Sequence, residues 1–272
     1  MIFRVHAPSP PLRGHVAYLW YHEGVVSDFA MERLVPDGGV ELIFDLTGTP
    51  KRWHPGDRVE RTRHVRAGWI SGQHSRPIAI EAAQQSCMIG ARFLPGGAYA
   101  VLQQPLCQLN DSVVEIDLLW GSTAHDLREQ LLASRSVDER FRLLDCALVK
   151  RAAGHTTLDR SLAAAVARLA HGSTPVSIRA LAGDIGVSQR RLVRLFDDRV
   201  GLKPKMMARV FRFQRVLQRL ERGPFPGWTA IAADSGYFDQ AHFVKEFREL
   251  AGMRPTEYLR EKGEYLNFIP IR

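Results

Sequence analysis

An internal repeat in the last third of the chain constrains the fold more than any other feature of the sequence. Five positions recur after 51 residues, so that Leu192, Arg194, Phe196, Gly201 and Pro204 return as Phe243, Lys245, Phe247, Gly252 and Pro255. The blocks GLKP and GMRP match within this register. Self-similarity at a fixed period indicates copies of one supersecondary unit. The sequence therefore predicts two similar units, over residues 178–199 and 229–249.

Each copy has the pattern of a helix-turn-helix. A small residue that lets two helices cross closely is followed four residues later by a glycine that permits a tight turn. These pairs are Ala182 with Gly186, and Ala232 with Gly236. A residue suited to capping the next helix follows in each copy, Ser188 in the first and Asp239 in the second. The second turn contains one extra residue, Phe238.

A single amphipathic helix is predicted between the two units. Residues 205–221 carry an apolar stripe of Met207, Val210, Phe213 or Gln214, and Leu217. A helix of this length spans about 25 Å. This is close to the separation of about 34 Å between two major-groove segments on one face of DNA. We therefore expect this connecting helix to hold two recognition helices near one DNA turn apart.

The net charge of +8 lies in one half of the chain. Residues 1–154 carry 17 basic and 17 acidic side chains, whereas residues 155–272 carry 20 basic and 12 acidic ones. Such asymmetry indicates that the second half meets a polyanion, with a solvated basic face as the alternative.

The first half has a different sequence pattern, in which short apolar runs alternate with turn residues. Alternation from Val40 to Leu46, after the turn Pro36-Asp37-Gly38-Gly39, is typical of a half-buried strand. Strands are predicted over 15–22, 40–46, 65–70, 78–82 and 87–93, a short helix over 98–103, and longer helices over 124–134, 137–151 and 158–170. The fold class is therefore multidomain α+β: a small β-sandwich or barrel over about 1–110 with flanking helices over about 117–151, then an all-α domain. A joint at 152–157 divides domains of residues 1–153 and 154–272.

Residues 158–260 closely resemble the DNA-binding domain of the AraC/XylS family of bacterial transcription regulators. The matching stretches are LAGDIGVSQRRLVRLF, GLKP, AIAADSGYFDQAHFVKEF and GMRPTEYL. The resemblance implies seven helices, two helix-turn-helix units and an asymmetric or directly repeated promoter site. Through PDGGVELIFDL, SGQHSRPI and GARFLPGGA, the first half looks like the cupin-like companion domain of one branch of that family.

Base readout requires donors and acceptors near the start of each recognition helix. In the first unit these are Gln189, Arg190, Arg191 and Arg194, and in the second Gln240, His242 and Lys245. The resemblance places Arg190 and Arg194 at groove-contacting positions. Phosphate contact or solvation is the alternative for each residue, and it is favoured for Arg191. On the connecting helix, Arg209 and Arg212 are expected at most to contact phosphates.

Five residues of the first half are candidates for an effector pocket, although large residues in such runs more often belong to the core. They are Trp20, His22, Phe44, Trp69 and Arg92. The expected partners are double-stranded promoter DNA, with RNA polymerase, a small-molecule effector and a second copy of the chain as further candidates. No membrane partner is expected.

Other chemistry finds little support in the sequence. The ten histidines and three cysteines show no H-x-H, H-E-x-x-H or C-x-x-C spacing, so neither a metal nor a cofactor is expected. We expect a DNA-binding regulator that is not an enzyme. A cytoplasmic location is expected because no apolar stretch is typical of a signal peptide or a membrane span. One alternative is an adaptor whose first half docks a protein. Another is a fusion to a DNA alkylation-repair enzyme, which would need an activated cysteine in a zinc setting.

Overall fold

Strands dominate the chain up to residue 115, as the short apolar runs predict. The structure, a computed structural model, describes residues 2–25, 27–56, 61–82, 86–154, 159–172, 177–222, 225–263 and 265–271. The strands of this region are β1 (Ile2–His6), β2 (Val16–Val25), β3 (Met31–Leu34), β4 (Val40–Asp45), β5 (Lys51–His54), β6 (Arg63–Val65), β7 (Gly68–Ser71), β8 (Ile78–Glu81), β9 (Ser86–Phe93) and β10 (Val113–Glu115).

These strands form two antiparallel sheets, which confirms the predicted β-sandwich. Within the described residues, one sheet has the order β1-β2-β9-β4-β7-β10. The second has the order β11-β3-β8-β5-β6, in which β11 (Phe268–Ile271) comes from the far end of the chain. Apolar side chains fill the space between the sheets, among them Trp20, Trp53, Trp69 and Met88.

One predicted strand, over residues 65–70, is wrong. The chain ends β6 at Val65 and begins β7 at Gly68, and these two strands belong to different sheets. Ala67 between them has a φ of 59°, a left-handed conformation that a continuous strand does not tolerate. The run of apolar residues therefore contributes to both sheets instead of one.

Helices cover the outer face of the six-stranded sheet. They are α1 (Ala98–Leu102), α2 (Asp117–Trp120), α3 (Ser122–Ala133) and α4 (Val137–Ala152). Apolar side chains of α3 and α4 are buried against this sheet, with Leu131, Phe141, Leu144 and Leu148 almost fully excluded from solvent. Apart from its exposed edge strand β1, the six-stranded sheet is thus covered on both faces.

The second half of the chain is helical, and seven helices lie among its described residues, the number implied by the family resemblance. They are α5 (Arg160–His171), α6 (Ile178–Asp184), α7 (Gln189–Leu195), α8 (Pro204–Glu221), α9 (Trp228–Asp234), α10 (Gln240–Ala251) and α11 (Pro255–Glu261). One turn of π-helix, Phe196–Val200, follows α7. The predicted joint at 152–157 lies partly outside the described residues, so the domain boundary stays a prediction.

The last strand of the chain returns to the amino-terminal domain, a pairing that no local sequence pattern predicts. Strand β11 pairs antiparallel with β3, from Phe268 opposite Leu34 to Ile271 opposite Met31. Beside this strand, Gln214 of α8 donates through Nε2 to the Pro36 carbonyl at 2.8 Å and to Asn267 Oδ1 at 2.9 Å. The turn between β3 and β4 therefore lies directly against the connecting helix.

A second contact joins the two halves near the π-helical turn. Asn110 donates from its side-chain amide to the Gly201 carbonyl. A Cβ on Gly201 would lie 2.6 Å from Asn110 Oδ1, so this close approach requires glycine. The Arg199 guanidinium lies 3.6 Å from the centre of the Tyr99 ring, a cation–π contact. The halves are thus joined at the π-helical turn as well as through β11 and α8.

Candidate nucleic-acid interface

The first helix-turn-helix is built by α6, a tight turn and α7. Gly186 adopts a φ of 70°, and the following Val187 N–H donates to the Ala182 carbonyl at 3.0 Å. The Ser188 hydroxyl then accepts from the Arg191 N–H at 3.2 Å and caps α7, as predicted. This cap turns the first residues of α7 away from the core.

The predicted readers of α7 lie together on its exposed surface. Gln189, Arg190, Arg191 and Arg194 are all exposed. Their side chains form no hydrogen bond or ion pair with another described residue. Three guanidinium groups on a helix of seven residues therefore remain available to a polyanion. Val193, between them, is half-buried.

The second unit repeats the turn geometry of the first. Gly236 has a φ of 79°, and the Tyr237 N–H donates to the Ala232 carbonyl at 3.0 Å. The Asp239 carboxylate accepts from the His242 N–H at 2.7 Å and caps α10, which the sequence also predicted. Equal turn bonds in the two units show that the repeat is a repeat of backbone structure.

The predicted readers of α10 are exposed as well, but two of them have partners. The Gln240 Oε1 accepts from the Thr229 hydroxyl at 3.3 Å. His242 accepts at Nδ1 from the Phe238 N–H at 3.5 Å, and its ring packs edge-on against Tyr237. Lys245 has no partner among the described side chains. Within this set, His242 is the residue most engaged with its own unit.

An open groove runs beside the exposed face of α10. It has a volume of about 840 Å³. Its lining comprises Trp228, Gln240, Ala241, Val244, Lys245, Arg248, Glu249, Arg254, Pro255 and Thr256. Two exposed cations of this lining, Arg248 and Arg254, are not among the residues predicted from the sequence. The signal for Arg248 is its position three residues after Lys245, which places both side chains on one helix face.

The predicted phosphate contacts of Arg209 and Arg212 are not favoured by the structure. Both guanidinium groups are hydrogen-bonded to Glu246 of α10, at 2.9 Å from Arg209 and 2.7 Å from Arg212. Arg209 also pairs with Glu249, and Arg212 lies over the Tyr237 ring at 4.6 Å. The two arginine charges are therefore compensated by Glu246 and Glu249, and these ion pairs join α8 to α10.

The Glu246 carboxylate at the centre of this cluster is 4% exposed. Burial alone would raise the pKa of Glu246, but the hydrogen bonds and charges of Arg212 and Arg209 outweigh it and hold the pKa below its ordinary value. The group therefore stays ionised at neutral pH and acts as a fixed anion under the recognition helix.

Four of the five candidate effector residues lie between the two sheets, and one does not. Trp20 and Trp69 are buried there, and the His22 ring stacks on Trp20 at 5.5 Å. The Trp20 ring covers Gly90 of β9, since a Cβ on that glycine would lie 2.6 Å from the ring. Arg92 is two residues farther along β9, so its side chain points to the same face of the sheet as the Trp20 ring. Phe44 packs on the opposite face against the helices, so it does not share a pocket with the other four candidates.

The buried polar groups of this region differ in how they are satisfied. Arg92 pairs with Asp37 at 2.8 Å and with Glu41 at 3.4 Å. Burial raises the pKa of Asp37, but Arg92 outweighs it and lowers the pKa below its ordinary value. By contrast, the indole N–H groups of Trp20 and Trp53 are buried without a hydrogen-bond partner among the described residues.

The described part of the chain contains no group of three or more His, Cys, Asp or Glu side chains placed to hold a metal ion. Its cysteines are free thiols, with Cys87 half-buried and Cys107 and Cys146 exposed. None of its helices combines the length and the apolar character that a membrane span requires.

Two family models match the chain. Residues 181–261 match a model described as a helix-turn-helix domain, and residues 4–115 match one described as a domain of unknown function, DUF6597. The first match covers both helix-turn-helix units from Leu181 onward. The second covers the strands of the sandwich that come from the amino-terminal half.

Two curated relatives are similar over about a hundred residues. The probable thc operon regulatory protein of Rhodococcus erythropolis is 30% identical over 93 residues, 34% of this chain and 28% of that protein. The bifunctional transcriptional activator/DNA repair enzyme Ada of Escherichia coli is 30% identical over 99 residues, 36% of this chain and 27% of that protein. The chain thus spans less than a third of the length of these relatives.

Among solved structures, ToxT from Vibrio cholerae is similar at a TM-score of 0.47 and 10% sequence identity, covering 89% of this chain and 98% of that chain.

Proposed function

We propose that this chain, whose carboxy-terminal domain is an AraC-type helix-turn-helix domain, is a transcription regulator that reads two successive major-groove segments of promoter DNA. The observation that carries the proposal is the pair of capped, exposed recognition helices, α7 and α10, on one duplicated scaffold. Each presents polar side chains at the start of the helix, the part that meets base edges in helix-turn-helix proteins.

Electrostatics supports the same function. The three arginines of α7 have no anionic partner among the described residues, whereas Arg209 and Arg212 are neutralised by Glu246. Uncompensated cations concentrate on the recognition surface, where they release counterions from the phosphate backbone on binding. Arginine on the groove side also offers bidentate hydrogen bonds to guanine.

The amino-terminal domain is proposed to control DNA binding. A conformational change in the sandwich would reach the helical domain through two regions of contact. In one, β3 pairs with β11 and the Pro36 carbonyl accepts a hydrogen bond from Gln214. In the other, Asn110 donates to the Gly201 carbonyl. The unpartnered indole N–H groups of Trp20 and Trp53 support a small effector that carries a hydrogen-bond acceptor. Self-association and contact with RNA polymerase are further parts of this proposal.

Selection of binding sites from random DNA by the full chain tests the DNA-reading function. We expect one preferred site with two unequal parts, bound about 10³-fold or more tightly than bulk DNA at physiological salt. Failure to enrich any sequence would contradict the proposal.

Replacement of Arg194 by Ala tests base reading within the selected site. We expect affinity to fall about tenfold and the preference at one base pair to be lost, since one bidentate contact contributes about 1–3 kcal/mol of discrimination. Arg142→Ala is the matched control, because Arg142 is an exposed arginine of α4. An equal loss on every sequence would assign Arg194 to phosphate contact instead.

The effector is tested with a reporter gene driven by the selected site. We expect fractionated small molecules from the host cell to change reporter output with the full chain, and Trp20→Phe and Trp53→Phe to lose the response while keeping DNA affinity. Constant output in every fraction would favour the adaptor alternative, in which the first half docks a protein.

A further inference from the structure

The most exposed large apolar side chain of the described chain lies in the second helix-turn-helix. Phe238 is 92% exposed, and it is the extra residue of the second turn, directly before the Asp239 cap of α10. In the first unit the chain passes from Val187 straight to Ser188. A phenyl ring fully in water at a recognition helix therefore needs an explanation beyond folding.

The backbone that carries this ring is firmly held. The Phe238 N–H donates to His242 Nδ1 at 3.5 Å, and Asp239 caps the helix at 2.7 Å. On the other side, Tyr237 is buried and packs edge-on against the Phe243 ring, with centroids 5.3 Å apart. Only the side chain of Phe238 is free, so the ring is presented outward from a fixed position.

The surroundings of the ring favour DNA as the contacted partner. The exposed Gln240 and Ala241 follow Phe238 in the first turn of α10, and these two residues line the groove that continues to Lys245 and Arg248. An apolar tip beside amide and cationic groups matches a major-groove edge, where polar atoms and thymine methyl groups alternate. A purely apolar surface would instead match a protein partner.

We propose that Phe238, together with Ala241, contacts thymine C5-methyl groups, so that the second unit reads an A·T-rich segment. This inference rests on the proposed DNA-reading function. Thymine is the base that presents a methyl group in the major groove, and Phe and Ala are suited to contact it. Gln240 adds bidentate recognition of adenine, whereas the first unit presents guanidinium groups suited to guanine. The two halves of the binding site therefore differ in composition.

Uracil substitution tests the methyl contact directly. In the site selected by the full chain, each thymine of each half is replaced singly by deoxyuridine, which removes the methyl group and keeps every hydrogen bond. We expect about fourfold weaker binding of the unchanged protein at one or two thymines of the second half, the ratio that corresponds to one buried methyl. Uracil in the first half should have no effect.

Variants assign this effect to the ring. Phe238→Ala should lose the preference for thymine over uracil at the thymine that the ring contacts, and Phe238→Leu should keep part of it. Leu118→Ala is the matched control, since Leu118 is an exposed apolar residue of α2 and should keep the full ratio. An unchanged thymine-to-uracil ratio in Phe238→Ala would overturn the inference, as would a second half without a uracil-sensitive thymine.

Two further outcomes separate this inference from the proposed function. If selection enriches no sequence, the proposed DNA-reading function itself fails. If a two-part site is found and Phe238→Ala lowers transcription but leaves DNA affinity and uracil sensitivity unchanged, the ring contacts a protein, and only the methyl-contact inference is overturned.

Discussion

The buried carboxylate under the second recognition helix should be a major source of stability for the helical domain. Glu246 accepts hydrogen bonds from Arg209 and Arg212 and joins α10 to α8. Replacement of Glu246 by Gln keeps the shape of the side chain but removes its charge. The NH₂ group of the glutamine would then face the guanidinium N–H donors of Arg209 and Arg212. Loss of one partner from a buried ion pair costs about 3–5 kcal/mol. We expect about 3 kcal/mol, because Arg209 is 33% exposed and regains water.

Urea unfolding of the full chain, followed by circular dichroism, measures this cost. The matched control is Glu249→Gln, which makes the same change one turn along the same helix. Glu249 is 49% exposed and, among the described residues, pairs only with Arg209, so its loss should cost less than about 1 kcal/mol. Equal effects of the two variants would refute the reasoning, because burial would then make no difference to the pair.

The pH dependence gives an independent check on the same residue. The folded pKa of Glu246 is lowered, so its stabilisation is fully present above the unfolded pKa of about 4.3 and is lost as the pH falls through the folded value. The stability difference between the unchanged protein and Glu246→Gln should therefore be largest at neutral pH and shrink below about pH 4. A difference that stays constant down to pH 3 would contradict an ionised carboxylate.

Two further predictions concern backbone conformation and a buried histidine. Gly186→Ala should lower the free energy of unfolding by about 1 kcal/mol, since φ is 70° and no atom crowds the site, whereas Gly183→Ala inside α6 should raise it by about 0.5–1 kcal/mol. Denaturant midpoints measure both, and a loss of stability in Gly183→Ala would contradict the assignment. Burial lowers the pKa of His74, although the charges of Asp111 and Asp37 oppose this shift. The free energy of unfolding should therefore fall as the pH drops below about 6.5. His74→Gln should weaken this pH dependence, whereas His125→Gln, a change at an exposed histidine, serves as the control and should not. Acid titration of the unfolding midpoint decides the matter, and identical profiles for the two variants would exclude His74 as the source.

The helix-turn-helix units could be predicted because their signals are local. Ser188 and Asp239 both cap the helices for which they were predicted, and Gly186 and Gly236 both adopt the positive φ that a tight turn needs. Caps and turns depend on a few neighbouring residues, so the sequence contains nearly all the information that specifies them.

The effector candidates show where a sequence pattern is insufficient. Alternation along β4 correctly placed Val40, Leu42 and Phe44 on one face. Both faces of this sheet are buried, one by helices and one by the second sheet, so apolar character does not tell them apart. Phe44 therefore lies on the helix-covered side, apart from Trp20 and Trp69 between the sheets, which the pattern did not show.

The arginines of α8 show the same limit for charge. From the sequence, a basic residue on an amphipathic helix is expected to be exposed. Only the packing of α8 against α10 shows that Arg209 and Arg212 face Glu246, more than thirty residues away in the chain. The spacing of the recognition helices is also set by packing, because α10 contacts α8 near Phe213, whose ring lies 5.2 Å from that of Phe247. The length of α8 alone does not determine it.

By itself the sequence determined the duplicated unit, its caps and turns, and the basic character of the reading surface, because periodicity, propensity and charge are properties of neighbouring residues. Tertiary structure alone decided which arginines lack an acidic partner among the described residues, which face of the sheet meets the second sheet, and that β11 returns to pair with β3. These features arise from contacts between residues far apart in the chain. Such contacts depend on which surfaces meet when the fold closes, and a local pattern does not specify them.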